Sequence, residues 1–350
     1  MILQGFNWFS HESGTHLKIL RSELPRMKRM GIKKLWIPPC VRSHKDHPQG
    51  YYPVDYLDFN SSYGTSEDLS KLLASSRPLG IDCLYDLICW SSFGDYVREP
   101  FKFGEFEVSP DDPGFVDRMI KYTHDIMDLG FGGVRLDYLK SWPCNEVGYG
   151  LGRDVESVWM MGELWDTMDY DHSWLCADQD RHRRQIKNYM DLAGGGMHML
   201  DFTTKGILQT ALSNREYWRL GGVPGLIGID PSRSITFLDN HDTNWSDQNH
   251  WPFSGQNKDA YMVGYMYIMT HPGTPCVYWN HYTDWYDDLV RLSDIRSKIS
   301  PRTVDVLEAS DKRYTAIING NWEINIGESI QPRGTVSFQW SDGTLSEISS

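Results

Sequence analysis

Short apolar runs that alternate with stretches of helical spacing dominate residues 2–297, and this alternation constrains the fold more than any other feature. Eight runs have the length and composition of buried strands, at residues 2–8, 34–39, 81–88, 133–137, 158–163, 197–202, 234–239 and 275–279. Helical spacing is seen at residues 17–30, 67–76, 116–129, 181–190, 204–212, 259–270 and 287–297. Parallel strands need crossover helices, and eight such units close on themselves. We therefore expect an α/β fold, with a (β/α)8 TIM barrel over residues 1–298.

The last fifty residues have a different pattern. Runs at 314–318, 322–326 and 335–340 are short and are separated by Gly and Asn turns, which is typical of hairpin-connected strands. The sequence therefore predicts a small antiparallel β domain at 299–350. A short insertion after the third barrel strand, at about 90–115, is the other departure from the alternation.

The charge and aromatic content narrow the classes of partner. The chain has a formal net charge of −13, so it lacks the excess of Lys and Arg that neutralises phosphates. We expect no nucleic-acid partner and a neutral substrate. The 14 Trp and 19 Tyr residues suit a surface that stacks on sugars or other flat ligands.

The N-terminal residues and the cysteines indicate in which cellular compartment the protein is expected. The first residues show no basic segment followed by an apolar run, and no stretch reaches the ~20 apolar residues that span a bilayer. The six cysteines are scattered without a CxxC pair, which is typical of reduced packing thiols. We expect a cytoplasmic monomer without membrane contact, and a secreted form stays an alternative.

The run Gly132-Gly133-Val134-Arg135-Leu136-Asp137 carries the first indication of chemistry. Arg135 and Asp137 are two residues apart, so on a strand they point to the same side. A guanidinium beside a carboxylate keeps it ionised and fixes its orientation, as a nucleophile requires. A structural ion pair at a strand end is the alternative interpretation of these two residues alone.

Three acids follow different predicted strands: Asp137, Glu163 and Asp242. In a (β/α)8 barrel the chemistry lies at the carboxyl ends of the strands, so we expect these side chains to converge. Two carboxyl groups that flank one bond are what glycoside hydrolysis needs, one as nucleophile or base and one as acid. The joint pattern, rather than any single acid, favours this chemistry.

Several motifs resemble those of the α-amylase superfamily of glycoside hydrolases, and most closely the plant-type α-amylases. The resemblance covers most of residues 1–300 in the family order. The matching segments are Gln4-Gly5-Phe6-Asn7-Trp8, Leu35-Trp36-Ile37-Pro38-Pro39, Gln49-Gly50-Tyr51, Gly133-Val134-Arg135-Leu136-Asp137, Gly162-Glu163-Leu164-Trp165-Asp166, Gln179-Asp180-Arg181-His182-Arg183, Asp201-Phe202-Thr203-Thr204-Lys205-Gly206-Ile207-Leu208, Phe237-Leu238-Asp239-Asn240-His241-Asp242-Thr243 and Thr270-His271-Pro272-Gly273-Thr274-Pro275-Cys276.

The resemblance implies roles for eight side chains. Asp137 would be the nucleophile, Glu163 the general acid/base and Asp242 the stabiliser of the transition state. The implied substrate contacts are Tyr51 stacked under the sugar, Arg135 orienting the nucleophile, Lys140 in a neighbouring subsite, Trp165 in the motif of the acid, and His241 on sugar hydroxyls. The partner would be an α-glucan polysaccharide or oligosaccharide. Tyr51 as an ordinary loop aromatic and His241 as a structural histidine are the alternatives.

The chain departs from the family after the third strand. Where the family has Asn-His after this strand, the chain has Trp90-Ser91, so the resemblance implies a calcium site whose usual ligand position is Trp90. The second domain of the family is also truncated here, to a reduced domain at about 90–115. We expect weak or absent calcium binding, and we assign no residue to a metal.

The resemblance implies retaining endo-hydrolysis of α-1,4-glucosidic bonds in starch, glycogen or maltooligosaccharides. Retention of the three acids favours this enzyme. The departure at Trp90-Ser91 favours a catalytically impaired glucan-binding or regulatory homologue instead. An α-glucan transglycosylase, in which a sugar replaces water, is a third alternative.

Overall fold

The computed structural model describes residues 1–89, 101–109, 112–141, 144–154, 158–194, 196–245, 251–254, 257–328, 336–341 and 344–349. Strands β1 to β19 within this part are Ile2–Gln4, Lys34–Trp36, Arg42–Ser43, Pro53–Asp55, Asp82–Leu87, Phe101–Phe103, Phe106–Val108, Val134–Leu136, Met160–Gly162, Tyr170–Asp171, Trp174–Leu175, His198–Leu200, Ser234–Thr236, Thr274–Tyr278, Val304–Ala309, Arg313–Ile318, Trp322–Gly327, Val336–Ser341 and Thr344–Ser349. Helices α1 to α10 are His16–Arg29, Ser66–Ser76, Phe115–Asp128, Cys144–Arg153, Asp180–Ala193, Phe202–Asn214, His241–Trp245, Lys258–Thr270, Trp279–Asp284 and Tyr286–Ile299.

Eight strands form a closed barrel in the order β1-β14-β13-β12-β9-β8-β5-β2. This confirms the predicted (β/α)8 barrel, because the order follows the chain around the ring. The strands are only three to six residues long, shorter than the apolar runs that predicted them. Their side chains are almost wholly buried; β8 and β9, for example, are buried throughout.

Strands β15 to β19 form the sheet after the last helix. The pairs β15–β16, β16–β17 and β18–β19 are antiparallel, as predicted. The pair β17–β18 is parallel, which the sequence pattern did not predict. The predicted boundary at residue 298 stays a prediction; α10 ends at Ile299 and β15 begins at Val304.

The insertion region contributes to a small sheet that the sequence pattern did not predict. Strands β3, β4, β6 and β7 pair in this order. The predicted reduced domain at 90–115 lies partly outside the described residues, since residues 90–100, 110 and 111 are not among them.

The chain forms two compact units. The first comprises Met1–Trp165, Tyr189–Leu200 and Tyr278–Asn280. The second comprises Asp166–Asn188, Asp201–Val277 and His281–Ser350.

All six cysteines are free thiols, and five of them are buried; Cys176 is half-buried. The buried thiols act as small apolar groups in the core. Across the described ranges, no helix is both long and apolar enough to cross a membrane.

Candidate active site

A buried guanidinium organises the acidic residues of the first unit. Arg135 is fully buried. Its Nη1 donates to Asp86 Oδ1 at 2.8 Å and to Asp137 Oδ1, and its Nη2 donates to Glu163 Oε2. One side chain therefore joins three carboxyl groups that come from the neighbouring strands β5, β8 and β9.

The backbone before and beside Arg135 explains how it reaches this place. Gly133 has φ +152°, and a Cβ there would lie 2.5 Å from the Trp159 carbonyl oxygen. Only glycine fits a position of this kind, so β8 lies close to the segment that leads into β9. Parallel pairing sets Asp86 opposite Arg135, and this register brings the two side chains together.

Asp86 is the third partner of Arg135 and the residue that the sequence analysis did not single out. Its Oδ2 accepts hydrogen bonds from Trp36 Nε1 and from the Tyr51 hydroxyl, both at 2.9 Å. Burial raises the pKa of Asp86 to about 6, against the lowering effect of Arg135 and together with the charge of Asp137. The sequence signal was an acid in the middle of an apolar run, which requires a partner when buried.

Arg135 stays protonated in this setting. Burial by itself would lower the pKa of its guanidinium, but the carboxyl groups of Asp86, Glu163 and Asp137 raise it well above the usual value. The guanidinium also lies over the Trp36 ring, 4.8 Å from the centroid. The cation is thus fixed on one face by an aromatic ring and at its edge by carboxylates.

The two predicted catalytic carboxyl groups lie next to each other along the ends of β8 and β9. The Glu163 amide donates to the Leu136 carbonyl, and the Leu139 amide donates to the Glu163 carbonyl. Asp137 and Glu163 remain 6% and 5% exposed, whereas Asp86 is 0% exposed. Of the three acids, these two are the ones that a ligand from solvent could touch.

Local backbone geometry orients both carboxyl groups. Tyr138 follows Asp137 with φ +44°, a left-handed conformation that turns the chain sharply and is costly for a non-glycine residue. Gly162 precedes Glu163, and a Cβ there would lie 2.3 Å from Leu139 Cδ1. A side chain at this position would require Leu139 to shift.

Tyr51 is part of the same cluster. Besides donating to Asp86, its ring lies parallel to that of Trp8, with centroids 6.3 Å apart and an interplanar angle of 6°. Arg135 lies 6.0 Å from the Tyr51 centroid. The structure therefore brings Tyr51, Arg135, Asp137 and Glu163 together, as predicted for a site, while their roles stay predictions.

The remaining predicted site residues are Lys140, Trp165, His241 and Asp242. Lys140 is exposed in the turn after β8, and Trp165 is half-buried two residues beyond Glu163. His241 and Asp242 belong to the second unit, at the start of α7. His241 Nε2 lies 3.5 Å from Asp242 Oδ2, and His241 is buried while Asp242 is half-buried. The convergence of Asp242 with the other two acids stays a prediction.

No group of three or more His, Cys, Asp or Glu side chains in the described part of the chain is arranged to hold a metal ion. Trp90 and Ser91, on which the predicted departure from the family depends, lie outside the described residues. Weak or absent calcium binding at the usual family position therefore stays a prediction.

A closed (β/α)8 barrel with a buried arginine that joins two carboxyl groups at its strand ends has the architecture and the chemistry of a glycoside hydrolase. Comparison with known proteins agrees. The profile of the α-amylase catalytic domain matches residues 10–94. The chain is 33% identical over 372 residues to probable alpha-amylase 2 of Arabidopsis thaliana, covering 94% of the chain and 88% of that protein. It therefore belongs to the α-amylase family.

Two further comparisons show how much of the sequence and of the fold the chain shares with known α-amylases. The chain is 33% identical over 388 residues to alpha-amylase 3, chloroplastic, of the same plant, but it spans only 42% of that protein's length. A crystal structure of an α-amylase from Geobacillus thermoleovorans superposes with a TM-score of 0.66 at 16% identity, covering 87% of the chain and 78% of that structure. At this identity the likeness shows the fold alone.

Proposed function

We propose that this chain is a retaining α-amylase that cleaves internal α-1,4-glucosidic bonds in starch, glycogen or maltooligosaccharides. The observation that carries the proposal is the Arg135 cluster, in which one buried guanidinium binds Asp137 and Glu163 together. Asp137 and Glu163 are also slightly more exposed than Asp86, the third partner of Arg135, at 6% and 5% against 0%.

In the first step the Asp137 carboxylate attacks the anomeric carbon. The bond from this carbon to the glycosidic oxygen breaks, and Glu163 gives its proton to that oxygen as it leaves. In the second step Glu163, now a carboxylate, takes a proton from water. The water oxygen attacks the anomeric carbon and displaces Asp137, so the sugar leaves with its α configuration kept.

Arg135 and Asp86 prepare the two carboxyl groups for these unequal roles. Three carboxyl groups share one guanidinium, and placing a proton on one of them relieves their mutual repulsion. Arg135 aims both groups through its hydrogen bonds, with Asp137 as the nucleophile and Glu163 as the acid. Asp86 holds Arg135 from the side away from solvent.

The proposal is tested by measuring reducing ends released from soluble starch and the anomeric configuration of fresh product by NMR. We expect α-anomers, and a separation of about 5–5.5 Å between the carboxyl groups of Asp137 and Glu163 rather than the 6.5–9.5 Å of inverting enzymes. Asp137→Asn and Glu163→Gln should abolish turnover and leave the fold intact. Asp125→Asn is the matched control, because Asp125 is exposed and pairs with surface Lys121 in α3.

Four outcomes would overturn the proposal. A β-anomeric product, or full activity in Asp137→Asn, would rule out the retaining mechanism at this site. A wild-type protein that binds maltooligosaccharides without releasing reducing ends would favour the glucan-binding homologue, and transfer products longer than the substrate would favour a transglycosylase.

We also propose that this chain does not depend on calcium at the usual family position, since Trp90 has no oxygen ligand to offer. The melting temperature should be nearly the same with chelator and with added calcium. A large drop caused by the chelator would show the opposite.

Location and assembly are further proposals. We propose a monomer in the cytoplasm, with a plastid as the alternative because one relative is named chloroplastic. Light scattering of the purified protein tests whether it is a monomer. Imaging of a fluorescent fusion tests its location.

A further inference from the structure

A second buried charged cluster lies in the second unit, around Asp239, directly before Asn240, His241 and Asp242. The carboxylate of Asp239 is fully buried. Its Oδ1 accepts from Thr243 Oγ1 and from the Phe253 amide at 3.0 Å each. Its Oδ2 accepts from the Tyr261 hydroxyl at 2.6 Å. Nothing in the reaction proposed above uses this carboxylate.

The cation of this cluster is Lys205, which is also fully buried and comes from α6. Its Nζ lies 3.8 Å from Asp239 Oδ1 and donates to the Trp251 carbonyl at 2.9 Å and to Gln209 Oε1 at 3.0 Å. It also lies 4.0 Å from the centroid of the Trp251 ring. A buried lysine of this kind holds three separate groups at once: a carboxylate, a backbone carbonyl and an aromatic ring.

The cluster continues into the backbone that carries Asp242. Asn240 Oδ1 accepts from the Asp242 and Thr243 amides at 3.0 and 2.8 Å, and Thr243 Oγ1 accepts from the Asn240 amide. The Trp251 amide donates to the Thr243 carbonyl at 2.8 Å. Asp239 thus fixes Thr243, and Thr243 with Asn240 fixes the first turn of α7, where Asp242 lies.

We propose that Lys205 is a positioning residue for Asp242, acting through Asp239, Thr243 and the segment 251–253. This inference rests on the function proposed above and on the role of transition-state stabiliser that the resemblance implies for Asp242. Without the Lys205 ammonium, Asp239 is a buried carboxylate without a cation, and the Trp251 carbonyl loses its donor. Both losses release the segments that hold α7, and a shift of about 1 Å at a catalytic group costs about 10²-fold in rate.

The charge rather than the bulk of Lys205 is what the cluster needs. Gln209 supports this interpretation, since its Nε2 donates to the Pro252 carbonyl at 2.8 Å while its Oε1 accepts from Lys205. Two neighbouring residues on one face of α6 therefore hold two consecutive carbonyl groups of the segment 251–253. An apolar side chain at position 205 would fill the space and hold neither.

The test compares Lys205→Met, Lys205→Arg and the wild type by steady-state kinetics on maltooligosaccharides and by amide hydrogen exchange of residues 240–245 and 251–254. Lys205→Met should lower kcat about 10²-fold with little change in KM, and it should speed exchange in both segments. Lys205→Arg should recover part of both. Lys258→Met is the matched control, because Lys258 pairs with Asp288 at the surface of the same unit, and we expect it to behave as the wild type.

The outcomes separate this inference from the proposed function. A raised KM with unchanged kcat, or unchanged exchange in a folded Lys205→Met protein, would overturn the positioning role. A wild type without glucan hydrolysis would overturn the proposed function, and exchange alone would then decide whether Lys205 holds α7. Should Lys205→Met not fold, Gln209→Leu takes its place with the same expected exchange and kcat, and wild-type behaviour there would overturn the inference.

Discussion

At the scale of single residues, Asp86→Asn tests how the Arg135 cluster is held. Both oxygens of Asp86 accept hydrogen bonds, from Arg135 on one side and from Trp36 and Tyr51 on the other. An amide offers one acceptor in place of two, so at least one buried donor is left without a partner, at a cost of about 1–3 kcal/mol. We expect the free energy of unfolding in urea to fall by that amount, and turnover to fall with it.

Asp82→Asn is the control for this prediction, since Asp82 begins the same strand and pairs with Lys34 at 3.1 Å with more than half of its side chain exposed. Its effect on the free energy of unfolding should be within about 0.5 kcal/mol. Equal losses in the two variants would contradict the special role of Asp86.

The site residues illustrate what the sequence could and could not predict. The spacing of Arg135 and Asp137 placed both on one side of a strand, and the structure joins them as expected. Asp86 was overlooked because its partner lies 49 positions away, and only the register of β5 against β8 brings them together. Register depends on the whole barrel and is not encoded in local spacing.

At the scale of elements, Asp201 tests how α6 is tied to its surroundings. Its carboxylate accepts from the Thr204 amide and hydroxyl, from the Leu226 and Ile227 amides and from the Ser234 hydroxyl. Asp201→Ala removes a helix cap, worth about 1 kcal/mol, and leaves further buried donors unpaired. We expect a loss of more than about 3 kcal/mol in stability, measured by thermal and urea unfolding.

Asn257→Ala is the matched comparison, because Asn257 caps α8 through one exposed hydrogen bond to the Ala260 amide. That variant should lose about 1 kcal/mol. If Asp201→Ala cost no more than Asn257→Ala, the buried donors around Asp201 would not depend on it.

Helix α4, Cys144–Arg153, shows why some elements escaped prediction. It contains three glycines, which disfavour a helix. Tight packing explains two of them: a Cβ at Gly148 would lie 2.4 Å from the Tyr189 hydroxyl, and a Cβ at Gly152 would lie 2.1 Å from the Ala193 carbonyl oxygen. Tertiary packing, which a single sequence does not display, here outweighs local propensity. The two-residue strand Arg42–Ser43 is likewise too short to show a period.

At the scale of the whole molecule, buried histidines in both units make stability depend on pH. Burial lowers the pKa of His16 to about 4 and those of His271 and His281 to about 3. Below pH 6.5 the unfolded chain therefore binds protons that the folded chain does not, so the free energy of unfolding falls as the pH falls. Asp86, with a folded pKa of about 6, opposes this for one proton between about pH 6 and 4.

Urea unfolding at pH 7.0, 6.0 and 5.0 measures this dependence. Burial also lowers the pKa of His182 and raises that of Asp239. With four histidines against two carboxyl groups we expect a steady loss of stability over this range. A constant or rising free energy of unfolding on acidification would contradict it.

The sequence predicted the barrel but not the parallel strand pair in the sheet that follows it. The barrel followed from repetition, since eight strand patterns in succession leave few other ways to bury their faces. The parallel pairing of Trp322–Gly327 with Val336–Ser341 did not follow, because short strands that are close in sequence favour an antiparallel hairpin and nothing in their composition indicates parallel pairing.

Because five of the six cysteines are buried, the rate at which their thiols react measures how fast the interior of the protein opens. A thiol-specific reagent should modify one sulfur per native chain, that of Cys176, and six per denatured chain. The lag before the remaining five react then reports the opening of the interior. Cys40, Cys83, Cys89 and Cys144 lie in one unit and Cys276 in the other, so peptide mapping of the order of alkylation would tell which unit opens first.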